Sequence, residues 1–180
     1  NSATNVSETK QMIPQKQNKK EFSELIQKNQ AIIHKITRVY ENGWANREDL
    51  FQEICLQLWK SYSNFREEAQ FSTWMYRVAL NTAISNVRKK KNGFSFELLR
   101  ATDRISEESS DEKDRVNLLY RAISRLNRID KAIILLWLEE KNYEEIAAIM
   151  GTSKTNVSVK LVRIKRKLEE LVSETVKQES

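Results

Sequence analysis

Apolar residues recur along most of this chain at helical rather than strand spacing. Phe22, Leu25, Ile26, Ile32, Ile33 and Ile36 share one face of a predicted helix that starts at Glu21 and ends near Asn42-Gly43, where the glycine can take a left-handed cap conformation. A second helix is predicted over about 46–62, with Leu50, Phe51, Ile54, Leu58 and Tyr62 on its core side. A third, over about 71–91, turns Phe71, Met75 and Val78 inward. These three predict a bundle. Four further helices follow near 115–126, 129–140, 143–150 and 153–173. Before the first helix, residues 1–20 are polar, hold the only proline and show no sustained period, which predicts a flexible tail. Between the halves, Ser106-Glu-Glu-Ser-Ser-Asp-Glu is acidic and serine-rich without an apolar stripe, which predicts a linker over 93–114. The organisation expected is a tail, a three-helix domain over 21–92, that linker, and a four-helix domain over 115–176.

Composition supports an all-α fold. With 3 Gly and 1 Pro in 180 residues there is little turn chemistry for a many-stranded sheet, and 39% hydrophobic residues suffice for a core. A single cysteine, Cys55, excludes an internal disulfide framework and a cysteine-based zinc site, and fits a reducing, cytoplasmic compartment. No apolar run is long enough to cross a membrane. The net charge of +6 becomes informative once divided: residues 1–20, 21–93 and 121–180 each carry +3, while 94–120 carry −3. Two basic helical modules flank an acidic tether, a distribution that suits a polyanionic partner.

The most specific local pattern is Asn142-Tyr-Glu-Glu-Ile-Ala-Ala-Ile-Met-Gly-Thr-Ser-Lys-Thr-Asn-Val. Asn142 and Glu145 are spaced for a capping box, Ala147 is small enough for a close helix crossing, Gly151 supplies a turn, and Ser153 can cap the next helix. This is a helix-turn-helix pattern. On its second helix Val157, Leu161, Ile164, Leu168 and Leu171 form the buried stripe, leaving Thr155, Asn156, Val159, Val162, Arg163 and Arg166 opposite, flanked by Lys160 and Lys167. Six basic residues and no acidic one lie between Lys154 and Lys167. Cations neutralise phosphates, amides and hydroxyls read base edges, and small apolar groups meet thymine methyls, so this face is predicted to bind DNA.

In the first module, Asp49, Gln52, Glu53, Leu56 and Trp59 fall on the side of the second helix away from the core. Two readings of this face stand open: a protein-binding surface, or Trp59 packed on the first helix beside solvated carboxylates. On the third helix, Gln70, Trp74, Arg77, Asn81 and Arg88 lie within a wedge of about 60°. A row of aromatic, cationic and amide groups suits a nucleic-acid backbone with exposed bases. Trp44 and Trp137 are expected to be structural, Cys55 to be core, and His34, with no second ligand nearby in sequence, to be a packed or surface residue.

Together these blocks resemble bacterial sigma factors of the extracytoplasmic function group, over about residues 21–173. Asp49-Leu-Phe-Gln-Glu is similar to the family's polymerase-binding motif, Phe71-Ser-Thr-Trp-Met-Tyr-Arg-Val-Ala-Leu-Asn to its promoter-melting helix, and the Ala147 to Lys167 segment to its region-four reader. The resemblance implies that Asp49, Gln52, Glu53 and Leu56 meet core RNA polymerase, and that the Ser63 to Gln70 loop, with Asn64 and Phe65, captures a flipped base of the melted minus-ten strand. Trp74, Arg77, Asn81 and Arg88 would border that strand; Ser153, Thr155, Asn156, Val159, Lys160, Arg163 and Arg166 would read the minus-thirty-five duplex. An anti-sigma factor is implied as a further partner. Family members often carry Gly where Thr155 stands and a basic residue where Ser158 stands, which implies different bases read here. No cofactor, metal or enzymatic activity is expected, since the chain shows no metal constellation, glycine-rich phosphate loop or activated nucleophile. The competing readings are a helix-turn-helix regulator of duplex DNA that works without polymerase, and a helical adaptor that binds only proteins.

Overall fold

A computed structural model of the protein describes residues 15–66, 69–92 and 111–179. Over these residues the chain is entirely α-helical: α1 Gln15–Tyr40, α2 Trp44–Tyr62, α3 Phe71–Asn92, α4 Asp111–Ser124, α5 Arg128–Leu138, α6 Tyr143–Met150 and α7 Lys154–Glu179. The expected linker over 93–114 lies outside the described residues up to Asp111, as does most of the predicted tail.

Helices α1, α2 and α3 pack mutually, and α4 to α7 form a second bundle around α7. The first core is built on Ile33, Ile36, Leu50, Ile54, Leu58, Met75 and Leu80, all with essentially no exposed surface. The second uses Ile123, Ile133, Leu136, Ile146, Val157, Leu161 and Ile164. Each such side chain, moved from water into this interior, contributes on the order of 2 kcal/mol.

Helix termination explains where the elements begin and end. Asn142 accepts from Glu145 N–H at 2.9 Å while the Glu145 carboxylate accepts from Asn142 N–H at 2.8 Å, which completes the predicted capping box. Gly151 closes α6 in the left-handed region (φ 65°, ψ 41°), and the Thr152 N–H bonds Ala147 O. Ser153 Oγ then accepts from Asn156 N–H at 3.1 Å and starts α7. Gly43 departs from expectation. It does not end α1, which stops at Tyr40; at φ 82°, ψ 148° it lies just before α2, in an extended positive-φ conformation open to glycine. Helix α1 also begins earlier than predicted, because Gln15 to Lys20 are good helix formers although they offer no apolar stripe.

The two bundles are not separate. Helix α1 packs on α4 and α5, and α3 packs on α5 and α6. Polar contacts line this seam: Lys35 pairs with Glu139, Arg38 donates to Asn117 Oδ1 and lies 4.3 Å over the Tyr120 ring, the Tyr40 hydroxyl donates to Arg128 O, and Lys131 Nζ donates to Val39 O at 3.2 Å. Burial beneath α1 pulls the Lys131 ammonium below the usual lysine range, an effect that Glu41 opposes. Val39 and Tyr40, which meet Lys131 and Arg128 across the seam, and Tyr76, beside Glu139, are all buried.

Candidate nucleic-acid and polymerase interface

Helix α7 presents its reading face to solvent. Ser153, Thr155, Asn156, Val159, Arg163 and Arg166 are exposed, as are Val162 and Lys167, while the predicted stripe of Val157, Leu161, Ile164, Leu168 and Leu171 is buried. The cations are not equivalent. Lys154 is paired with Glu144, whose carboxyl is held below its usual range by that hydrogen bond. Lys160 is half-buried and pairs with Asp130 of α5 at 3.3 Å, which fixes it at the edge of the face. Arg163 and Arg166 stand in the middle of the exposed surface. Lys165, on the flank, lies 3.9 Å over the ring of Trp137, which is exposed rather than buried as a structural residue would be.

Near the start of α3, the rings of Phe65, Phe71, Trp74 and Tyr62 converge. Phe65 lies 5.1 Å from Trp74 and 5.6 Å from Phe71, and Trp74 lies 5.3 Å from Phe71. The loop and helix residues singled out for single-strand contact thus meet, with Phe65 and Trp74 both half-exposed and Asn64 exposed beside them. Such a partly open aromatic cluster offers stacking surface to an unpaired base.

The rest of the row divides. Arg77 is exposed but turns toward α6, its Nη2 donating to Ala148 O at 2.7 Å. Asn81, one turn on, lines a polar groove of about 700 Å³ between α2 and α3 that it shares with Asp49, Glu53, Gln57 and Ser85. The Arg88 side chain lies outside the described residues. No sequence signal foretold the Arg77 contact, which joins residues 71 positions apart. The groove was legible only in part, since i, i+4 spacing places Asp49 with Glu53 and Asn81 with Ser85, but not one pair opposite the other.

On α2, Asp49 and Gln52 are exposed, Glu53 is half-buried, and Gln57 donates to the Glu53 carboxylate at 2.9 Å. Leu56 is 44% exposed and Trp59 40%, although the Trp59 ring also meets Phe22 edge-on at 5.0 Å. Trp59 thus packs on α1, as one reading of this face expected, and an apolar patch that includes Leu56 remains open next to the carboxylates. Trp44 differs from expectation. At 77% exposure, on the first turn of α2, it has no structural burial. His34 stacks on Phe51 at 4.8 Å, and Cys55 is half-buried, with burial raising its thiol above the usual range. Among the described residues no cluster of side chains could hold a metal ion, and no helix is long and apolar enough to cross a membrane.

Comparison with known proteins accords with this layout. A family model described as sigma-70 region 2 matches residues 25–93, and one described as sigma-70, region 4 matches residues 117–168. The chain is similar to the ECF RNA polymerase sigma-E factor of Escherichia coli strain K12, 25% identical over 178 residues that cover 91% of this chain and 92% of that protein. It is also similar to the ECF RNA polymerase sigma factor SigW of Bacillus subtilis strain 168, 26% identical over 142 residues, covering 69% of this chain and 76% of that one. In fold it resembles the sigma factor RpoE of Bartonella quintana, solved with the anti-sigma factor NepR, at a TM-score of 0.63 and 20% identity, covering 88% of this chain and 98% of that one. It likewise resembles CnrH solved with the cytosolic domain of CnrY, at a TM-score of 0.62 and 16% identity, covering 87% and 90%. With both regions present in order and together spanning more than half of its length, the chain belongs to the sigma-70 family, in its extracytoplasmic function group.

Proposed function

We propose that this chain is a dissociable specificity subunit of RNA polymerase that reads two promoter elements and holds the melted strand of the minus-ten one. The observation that carries this reading is the coexistence, in one chain, of an open cationic face on the second helix of a helix-turn-helix and an aromatic cluster beside a polar groove in a second bundle. In this reading Asp49, Gln52, Glu53 and Leu56 dock on core polymerase. Asn64, Phe65, Trp74, Arg77, Asn81 and Arg88 serve the minus-ten strand, and Ser153, Thr155, Asn156, Val159, Lys160, Arg163 and Arg166 the minus-thirty-five duplex. The chain acts without catalytic chemistry of its own, works in the cytoplasm, and is a target for an anti-sigma factor. The division into domains at 21–92 and 115–176 belongs to the same proposal.

A duplex-binding regulator independent of polymerase would use α7 equally well but gives no role to the open Leu56 face or to the Phe65–Trp74 cluster. The deciding experiment mixes the purified chain with core polymerase and templates selected for dependence on it. Promoter-dependent initiation is the expected result; tight duplex binding without polymerase association would sink the proposal.

A further inference from the structure

We propose that Thr152, a residue of the turn and not of the reading helix, positions the side chain of Asn156 so that it prefers adenine. The inference rests on the assignment of α7 as the duplex reader. Asn156 is exposed on the first turn of α7, the part of a helix-turn-helix that reaches base edges. Its Nδ2 donates to Thr152 Oγ1 at 2.7 Å.

An asparagine amide has two N–H donors and one carbonyl oxygen. The proposal assigns to Thr152 the amide hydrogen on the side of Asn156's own Cβ, the one directed back along the helix. The other hydrogen lies beside Oδ1, so the edge left facing outward is one donor next to one acceptor. Adenine presents the complement in the major groove, with N7 accepting and the N6 amino group donating. Guanine offers two acceptors, and its O6 would oppose Oδ1. Thymine offers an acceptor and a methyl group, and cytosine a single donor. Only adenine satisfies both positions.

Thr152 is itself held in place. It is half-buried, it follows the left-handed Gly151, and its N–H bonds Ala147 O at 3.0 Å. The orientation of the amide is thus inherited from the turn between the helices. Without the threonine hydroxyl, the amide is free to rotate about its last torsion and can present its donor and acceptor in either order.

The test uses the full chain assembled with core polymerase and a set of minus-thirty-five duplexes in which each position is changed in turn. The wild type is expected to prefer adenine at one position by about tenfold, and Asn156→Ala to remove that preference. Thr152→Val, which keeps the β-branched shape, should reduce it to about twofold at that position alone, leaving melting temperature and salt dependence unchanged. Thr152→Ser, which restores the hydroxyl, should restore the preference. Full retention of the preference by Thr152→Val would overturn the inference, as would an equal loss at every position, the mark of a merely structural residue. A wild type with no base preference anywhere would sink the α7 assignment together with it, whereas normal wild-type preference with an indifferent Thr152→Val sinks this inference alone.

Discussion

Two phenols are buried in the seam between the bundles, and they are differently provided for. Tyr40 donates its hydroxyl proton to Arg128 O, whereas the Tyr76 hydroxyl is buried beside Glu139 with no hydrogen bond of good geometry. Burial raises both above the ordinary value of 10.0, and the nearby Glu139 charge adds to the effect at Tyr76. Below that value both phenols are protonated whether the chain is folded or not. Above it the unfolded chain releases protons that the folded chain keeps, so stability falls as pH rises beyond 10. Tyr76→Phe should make that fall shallower in urea unfolding, and at neutral pH leave stability unchanged or raise it by up to about 1 kcal/mol, since no good bond is lost. A loss greater than that would mean the hydroxyl bonds Glu139 after all. At this scale the sequence was least legible. Periodicity placed Arg77 in a row with Trp74 and Asn81, but says nothing about a carbonyl on a helix far along the chain.

Helix ends were legible where side chains make the cap and hidden where the backbone does. Asn142, Glu145, Gly151 and Ser153 announce their roles by residue type and spacing, and each plays the predicted part. The end of α5 carries no such signal. Lys141 N–H bonds Leu136 O and Glu140 N–H bonds Trp137 O, a closing turn that usually has glycine at its left-handed position, yet Glu140 occupies it at φ 58°. A side chain in that region costs about 1 kcal/mol. Glu140→Gly is therefore expected to stabilise the chain by roughly 0.5–1 kcal/mol, visible as a higher melting temperature; a lower one would show that the glutamate side chain contributes more than its backbone strain costs. The face of each helix could be read from the 3.6-residue period, but Gly43 shows the limit: a glycine near a helix boundary marks a change of direction without saying which helix it serves.

At the scale of the molecule, the proposed function and the folded arrangement make different demands. Elements named minus ten and minus thirty-five lie about 25 base pairs apart, ~85 Å at 3.4 Å per step. A compact chain of 180 residues has a radius of gyration of only about 16 Å. With α3 packed on α6, the strand-holding and duplex-reading helices cannot reach both elements at once. In the proposed function, therefore, the seam parts on a promoter. Joining Lys35→Cys and Glu139→Cys with a short thiol cross-linker, in a Cys55→Ser background, should leave the α2 face able to bind core polymerase but abolish initiation, while the same variant without cross-linker stays active. Full activity of the cross-linked protein would show that closure is no barrier. The acidic tether and basic modules were visible in the sequence; their contact was not, because it joins surfaces whose apolar positions read equally well as the interior of either bundle.

Arg77 gives this closure a thermodynamic consequence. Its guanidinium is committed to Ala148 O in the folded chain, and in the proposed function it serves the minus-ten strand. A strand that draws the guanidinium out of the seam breaks that bond, so in the proposed function closure and strand binding are linked, and linkage runs both ways. Whatever holds α6 away from α3 raises the affinity of α3 for single-stranded DNA, and by the same factor that strand favours the separated bundles. In the proposed function, engagement of the second promoter element is then cooperative with the first even though no surface of one DNA site touches the other.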